Sequence, residues 1–407
     1  MFPTAHFAGV EEGGVPTVQD LTPHDTTWQA SGTGSESQTL YIITDDDAVV
    51  LAQIAWANIG LYPTIQATFR YNSADGKTTV HRTVTCSTFT PSADKRSVKT
   101  EFMSIDAAKD GKSWTFMFGL TPAEAAHVRG TITFTATDRG YKIGSEGKVS
   151  LGYDDAKFIA HKFVPYGKCD GVITINGRNN IMLSGKGTFI HAYGQGVKPH
   201  SVAQRWSLVV ANMPVAKVFT RPAGGDDSAW TAVQLETKDA GAHVSLLRYL
   251  TDKAFGAENM GMGSVFWQGK LHAVTTSNTA KPLNETLDHD TGYLVPGSVR
   301  YDLNGTTLPG YNAATVSGAD TSGAASTGAK VHAEITVNNA NQMARVDVLA
   351  ELPYLIRRVI QALISKPYVY QFVGNGNATV ILTDEADGSQ TKLELDGRVF
   401  HEMTFMW

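Results

Sequence analysis

The chain has 407 residues, of which 42% are apolar and 18% charged, with 39 glycines, 15 prolines and a formal net charge of −5. That length exceeds one ordinary core, so two domains are the default, and the composition excludes a disordered or fibrous protein. The acidic balance argues against a general nucleic-acid binder, which would carry a basic excess.

The charge is unevenly spread. No Lys or Arg precedes Arg70, whereas eight acidic residues do. The opening MFPTAHFAGVEEGG therefore lacks the basic and apolar regions of a signal peptide and the arginines of a mitochondrial presequence. No apolar run is long enough to cross a bilayer as a helix. Cys86 and Cys169, the only cysteines, suit a reducing compartment, with a single bridge between them left open.

Residues 1–33 read as an N-terminal extension, because Pro3, Gly13-Gly14, Pro16 and Pro23 interrupt any helix longer than a turn or two. Strand patterns begin at Gln38. Ile65, Ala67, Phe69 and Tyr71 alternate with polar residues, and Asp75-Gly76 predicts a hairpin turn into Thr78–Thr85. Thr121-Pro122-Ala123-Glu124 has the form of a capping box and predicts a short helix over Pro122–Val128. Thr131–Thr137 alternates cleanly, and Asn176-Gly177 turns a hairpin between Val172–Ile175 and Asn180–Leu183.

The stretch Gly187–Val210, punctuated by Gly194, Gly196 and Pro199, predicts a hinge between two strand-rich halves, 34–192 and 193–407. Short strands are expected at Ser207–Val210, Ala229–Glu236, Ser264–Trp267, Val331–Val337, Thr379–Leu382, Lys392–Leu395 and Arg398–Met406. Gly305–Lys330 thins to Gly, Ala, Ser and Thr, as in a surface loop, and Leu352–Ile364 has the apolar spacing of one amphipathic helix. The fold class is all-β, with many short strands and a few short helices. Periodicity alone leaves sandwiches and antiparallel barrels equally open.

Enzyme signatures are missing. There is no dinucleotide fingerprint, phosphate loop, zinc-protease motif, C-x-x-C or nucleophile elbow, so no catalytic, metal or cofactor site is assigned. Ser184–Thr188 reads as a turn between strands, Asp45–Asp47 as a hairpin tip and Asp288–Gly292 as a turn. His191 and His200 flank the hinge and read as bridging the seam. Aromatics beside the strands read as core or, if the strands close into barrels, as lining for one apolar ligand.

Three groups of segments in order carry a resemblance. DLTPHDTTW (Asp20–Trp28), ESQTLY (Glu36–Tyr41), QIAWAN (Gln53–Asn58) and Ile65–Tyr71 come first. HAYGQGVKPH (His191–His200) with Arg205-Trp206 follows, and RVDVLAELP (Arg345–Pro353), KPYVYQ (Lys366–Gln371) and GRVFHEMTF (Gly397–Phe405) end the series. Together they resemble the fungal survival-factor family, tied to survival under oxidative stress. The resemblance implies two lipocalin-like antiparallel β-barrels in a cytoplasmic and nuclear protein that needs no cofactor. It further implies binding of ceramide and its movement from the endoplasmic reticulum to the Golgi.

Among the matching stretches, Gln53, Asn58, His191 and Arg205 are candidate partners for the lipid's polar groups, beside Trp56, Phe69 and Trp206. More distant lipocalin-like relatives include hydratases and pericyclases, which keeps an enzyme as the alternative reading, with a ligand-free scaffold as a third. The family's apolar and basic N-terminal helix has no counterpart in residues 1–14, so either the chain is shortened or spliced differently at its start, or membrane contact is transient and made elsewhere, with Arg357 and Arg358 the candidates.

Overall fold

The alternating patterns form antiparallel sheets in a computed structural model. It describes residues 5–10, 14–58, 63–120, 127–138, 140–151, 156–177, 180–197, 204–233, 241–250, 260–267, 269–306, 329–348 and 366–406. The chain divides into two compact units, Met1–Val202 and Ala203–Trp407. Among the described residues the only helical pieces are single 3-10 turns such as Pro23–Thr26.

The first unit begins with β1 (Ala5–Phe7) and β2 (Val18–Asp20), then a meander of β3 (Gly34–Thr44), β4 (Val49–Asn58), β5 (Pro63–Asn72) and β6 (Thr79–Cys86). Short β7 (Thr90–Pro91) and β8 (Val98–Lys99) lead to β9 (Met103–Ala107), β10 (Ser113–Leu120) and β11 (Val128–Ala136). β12 (Tyr141–Ile143) and β13 (Lys148–Leu151) precede two long strands, β14 (Phe158–Ile175) and β15 (Asn180–Gln195). The order across the sheet is β6-β5-β4-β3-β15-β14-β11-β10-β9-β8-β7, so the last strand returns to pair with the first of the meander. The sheet curls until β6 comes alongside β10.

The second unit runs β16 (Arg205–Arg221), β17 (Thr231–Val233), β18 (Gly241–Leu250), β19 (Met260–Trp267) and β20 (Lys270–Thr275). It continues with β21 (Asn278–Leu287), β22 (Leu294–Thr306), β23 (Ala329–Asn338), β24 (Gln342–Asp347), β25 (Tyr368–Asp384) and β26 (Gln390–Phe405). Its order is β20-β19-β18-β16-β26-β25-β23-β22-β21. Each unit is thus one curled, lipocalin-like antiparallel sheet around its own core.

Side-chain alternation decides the inner faces. In the first unit Leu40, Ile42, Ala52, Ile54, Trp56, Phe69, Phe116, Phe134 and Phe189 share one core. Trp114 stacks on Phe189 at 4.5 Å between ring centres, and Phe69 on Phe118 at 4.5 Å. Burying each such ring contributes about 2–3 kcal/mol.

The turns at Asp75-Gly76 and Asn176-Gly177 form as expected, with φ positive at Gly76, Asn176 and Gly177. Asp45–Asp47 is a hairpin tip between β3 and β4, closed by Asp47 N–H donating to the Thr44 carbonyl. Asp288–Gly292 is a turn, its Gly292 N–H bonded to the Asp288 carbonyl. The predicted turn at Ser184–Thr188 is instead mid-strand in β15. A Cβ on Gly187 would lie 2.6 Å from Cys169 Sγ, so the glycine there serves close strand approach rather than a turn.

β15 also carries the predicted hinge region as far as Gln195 in extended form. Residues 18–28, read as extension, give the first unit a strand and the buried Trp28. Val128, expected to end a helix, opens β11, while residues 121–126, the predicted helix Leu352–Ile364 and most of Gly305–Lys330 lie outside the described residues.

Candidate functional site at one end of the first sheet

The inner faces of β3, β14 and β15 are apolar along most of their length, then turn polar at one end. There β15 places His191, β3 places Glu36 and Gln38, and β14 places Lys162. His191 stands opposite Gln38 on one side and opposite Lys162 on the other. The segment Thr22–Gln29 crosses this end. A single turn over Pro23–Thr26 presents backbone groups to the strands.

The connections are dense. Glu36 accepts from the Gln29 N–H through both carboxylate oxygens (2.9 and 2.8 Å) and meets His191 Nε2 at 2.7 Å. His191 Nδ1 faces the Asp25 carbonyl at 3.3 Å, and Gln38 Nε2 donates to the Thr26 carbonyl at 2.9 Å. Lys142 Nζ donates to Asp25 Oδ1 at 2.6 Å, while Thr22 donates its N–H and hydroxyl to Asp25 Oδ2. Burial alone would raise the Asp25 pKa, but Lys142 and the two Thr22 donors outweigh it and hold the carboxyl below its ordinary value.

Lys162 is only 4% exposed. Its ammonium reaches Tyr193 Oη at 3.3 Å and sits 4.5 Å from the centre of that ring. Among the described residues no carboxylate lies within ion-pair distance of it. Burial draws its pKa down to about 8, opposed by the negative charge of Asp25, Glu36 and Glu146. Burial likewise raises Tyr193 above the ordinary phenol value.

The structure sorts the sequence candidates. His191, fully buried, is the centre of the cluster; Trp56 and Phe69 belong to the same unit's apolar core. Asn58 is at the end of β4, bonded through Nδ2 to the Gly32 carbonyl at 2.8 Å. Gln53 alternates away from Trp56 onto the outer face and bonds Thr39 Oγ1 at 2.7 Å. Arg205 and Trp206 begin the second unit, where Arg205 faces Glu285 at 3.7 Å. Arg357, Arg358 and His200 lie outside the described residues. Both cysteines are free and buried, and burial raises both thiols, which leaves neither a poised nucleophile.

Sequence reasoning missed Asp25, Glu36, Gln38, Lys142 and Lys162. Their separation along the chain hides them from any local motif. One signal was available: Lys162 interrupts the apolar run FIAHKFV, where an ammonium on a buried strand face is costly without a purpose.

Two open depressions lie elsewhere. One of about 480 Å³ is lined from outward-facing positions including Met117, Arg129, Thr131 and Val172. The other, of about 460 Å³, is lined by the four asparagines Asn284, Asn338, Asn375 and Asn377 together with small and polar residues such as Ser298 and Thr336. Neither holds the sequence candidates. Among the described residues no group of His, Cys, Asp and Glu side chains has the arrangement of a metal centre.

Two curled antiparallel sheets with apolar interiors define a lipocalin-like protein. The known structures agree on the fold: CghA has a TM-score of 0.56 at 10% identity, covering 100% of this chain and 98% of its own. Kievitone hydratase from Nectria haematococca has a TM-score of 0.52 at 11% identity, covering 100% and 98%. Residues 9–220 and 222–407 match the Svf1 family, and the chain belongs to it. Relatives include the ceramide-binding protein svf1 of Aspergillus fumigatus, 24% identical over 95% of this chain and 90% of that protein. The ceramide-binding protein svf-1 of Neurospora crassa is 25% identical over 99% and 94%.

Proposed function

We propose that this protein is a non-enzymatic carrier that binds ceramide or a closely similar lipid. The observation that carries this reading is an aromatic interior ending in a buried group of hydrogen-bonding side chains, in a chain whose relatives are named for ceramide binding. Each methylene kept from water is worth about 0.8 kcal/mol, so a two-chain lipid leaves a bilayer slowly unless an apolar interior receives it. Its amide and hydroxyls need partners there, because each left unpaired costs about 1–3 kcal/mol. The aromatic column is closely packed, so Phe69, Trp114 and Phe189 must part as acyl chains enter.

The family resemblance extends the proposal to a cytoplasmic and nuclear protein. It would move ceramide from endoplasmic reticulum to Golgi by transient membrane contact and support survival under oxidative stress. Mass spectrometry of lipids extracted from the purified protein, with titration of a fluorescent ceramide, tests the central claim. Ceramide recovered in near-stoichiometric amount supports it; a protein that emerges empty and binds no ceramide overturns it.

The buried His191–Glu36 pair, 2.7 Å apart, favours one second reading: a hydratase-like enzyme using the same end of the sheet for proton transfer. Turnover of an isoprenoid or polyketide that disappears in Glu36→Gln would establish it.

A further inference from the structure

Three side chains around His191 keep hydrogen-bonding capacity that the protein does not use. Gln38, fully buried, donates to Thr26, but its Oε1 has no donor. Trp28 is 1% exposed, its ring centre is 6.1 Å from that of His191, and its indole N–H has no acceptor. Lys162 has three donors, of which one meets Tyr193 Oη at a long 3.3 Å. Buried polar atoms in native proteins are nearly always paired, so three gaps around one histidine point to a group that completes them.

The second unit supplies a control within the same chain. His401 occupies on β26 the register that His191 occupies on β15. Its flanking positions, however, hold Val209 in place of Gln38 and Phe372 in place of Lys162. The strand plan therefore needs neither the amide nor the ammonium.

We propose that Gln38, Lys162 and Trp28 form the recognition site for the polar end of the bound lipid, reading a carbonyl oxygen and an adjacent hydroxyl or amide N–H. Lys162 and the Trp28 N–H donate to the carbonyl, and Gln38 Oε1 accepts from the hydroxyl or amide. This rests on the lipid-binding reading and sharpens it: an N-acyl lipid fits all three groups, whereas sphingosine, which lacks the carbonyl, leaves Lys162 and Trp28 unmet. The other titratable groups of the cluster are Asp25 and Lys142 on its capping side, Glu36 from β3, Glu146, and His191 and Tyr193 from β15. His161 follows the opposite face of β14.

The test is titration of full-length wild type, Lys162→Met and Gln38→Leu with ceramide and with sphingosine, following tryptophan fluorescence, with each variant's melting measured alongside. Loss of about tenfold or more in ceramide affinity is expected in both variants, whereas sphingosine, whose own ammonium Lys162 repels, should bind Lys162→Met no less tightly than wild type. Folded variants that bind ceramide as tightly as wild type overturn the recognition site while leaving the carrier reading intact. A wild type that binds neither lipid overturns both.

Discussion

The two units are built on one plan and equipped differently. In each, a meander leads away from the first long strand, a second set of strands follows, and the last strand returns to pair with the first. Along β15 and β26 the registers agree, although β14 carries a bulge between Val164 and Gly167 that β25 lacks. His191 and His401 hold one position, and so do the glycine pairs Gly167–Gly187 and Gly376–Gly397. Around the shared histidine they part. His191 sits among charges, whereas His401 bonds Tyr301 Oη at 2.6 Å and Asn339 Oδ1 at 2.7 Å in a neutral setting. Where two copies of a plan agree, the fold accounts for the residue; where they differ, the residue is free to serve a ligand.

Removing a charge from the first unit should have the largest effect. Glu36→Leu leaves His191 and the Gln29 N–H without their acceptor in a buried site, a loss of about 3–5 kcal/mol. Ser207, at the Glu36 register in the second unit, should tolerate Ala within about 0.5 kcal/mol. Urea unfolding of both variants checks the contrast. Equal midpoints for the two would dissolve it.

Acid should next reveal the neutral histidine of the second unit. Complete burial pulls the His401 pKa from 6.5 to about 3. Unfolded, the ring takes its proton near its ordinary value, so between those limits the unfolded state binds more protons. The stability carried by neutral His401 is whole above about pH 6.5 and drains away as pH falls, by about 3 kcal/mol at about pH 4. His161, also drawn to about 3 by burial, drains in the same window within the first unit. His401→Gln should flatten the acid slope while lowering stability at neutral pH. An unchanged slope would show that His401 protonates without penalty.

The shared glycines give a smaller and symmetrical effect. A Cβ at Gly187 would meet Cys169 Sγ at 2.6 Å, and one at Gly397 would meet Pro214 Cδ at 2.8 Å. Alanine at either position should cost about 1–3 kcal/mol through forced strand displacement. Thermal melting of the two variants should show similar losses. A loss confined to Gly187→Ala would end the equivalence of the units at this point.

How much of this the sequence displays follows from how local each cause is. Ile65–Tyr71 and Thr131–Thr137 alternate within themselves, and the Asn-Gly and Asp-Gly turns need only their own φ, so those elements are legible. β26 reads as two strands because Asp396-Gly397 has turn chemistry. Pairing with Gly376 on one side holds it extended, and Pro214 and Met213 on the other leave no room for a side chain at Gly397. His191 was visible beside the hinge. Its partners Glu36, Asp25 and Lys162 became a cluster only when β15 returned to lie between β3 and β14, a long-range pairing that no periodicity encodes.

The smallest expected change separates stability from recognition most sharply. Lys162 is a buried ammonium with no carboxylate at ion-pair distance among the described residues, and its pKa falls from 10.5 to about 8. The unfolded state therefore binds more protons between those values. The charge is a burden on folding that is fully present below about pH 8 and lifts as pH rises toward about 10.5. Lys162→Met, which places an apolar chain where the second unit has Phe372, should make the protein more stable at neutral pH by about 1 kcal/mol. The gain should shrink in alkali as the wild-type amine loses its proton. A variant that is firmer yet binds ceramide less well would mark Lys162 as a residue kept at the expense of the fold. One that melts earlier at neutral pH would show instead that the ammonium supports the first unit through Tyr193 and the negative charges around it.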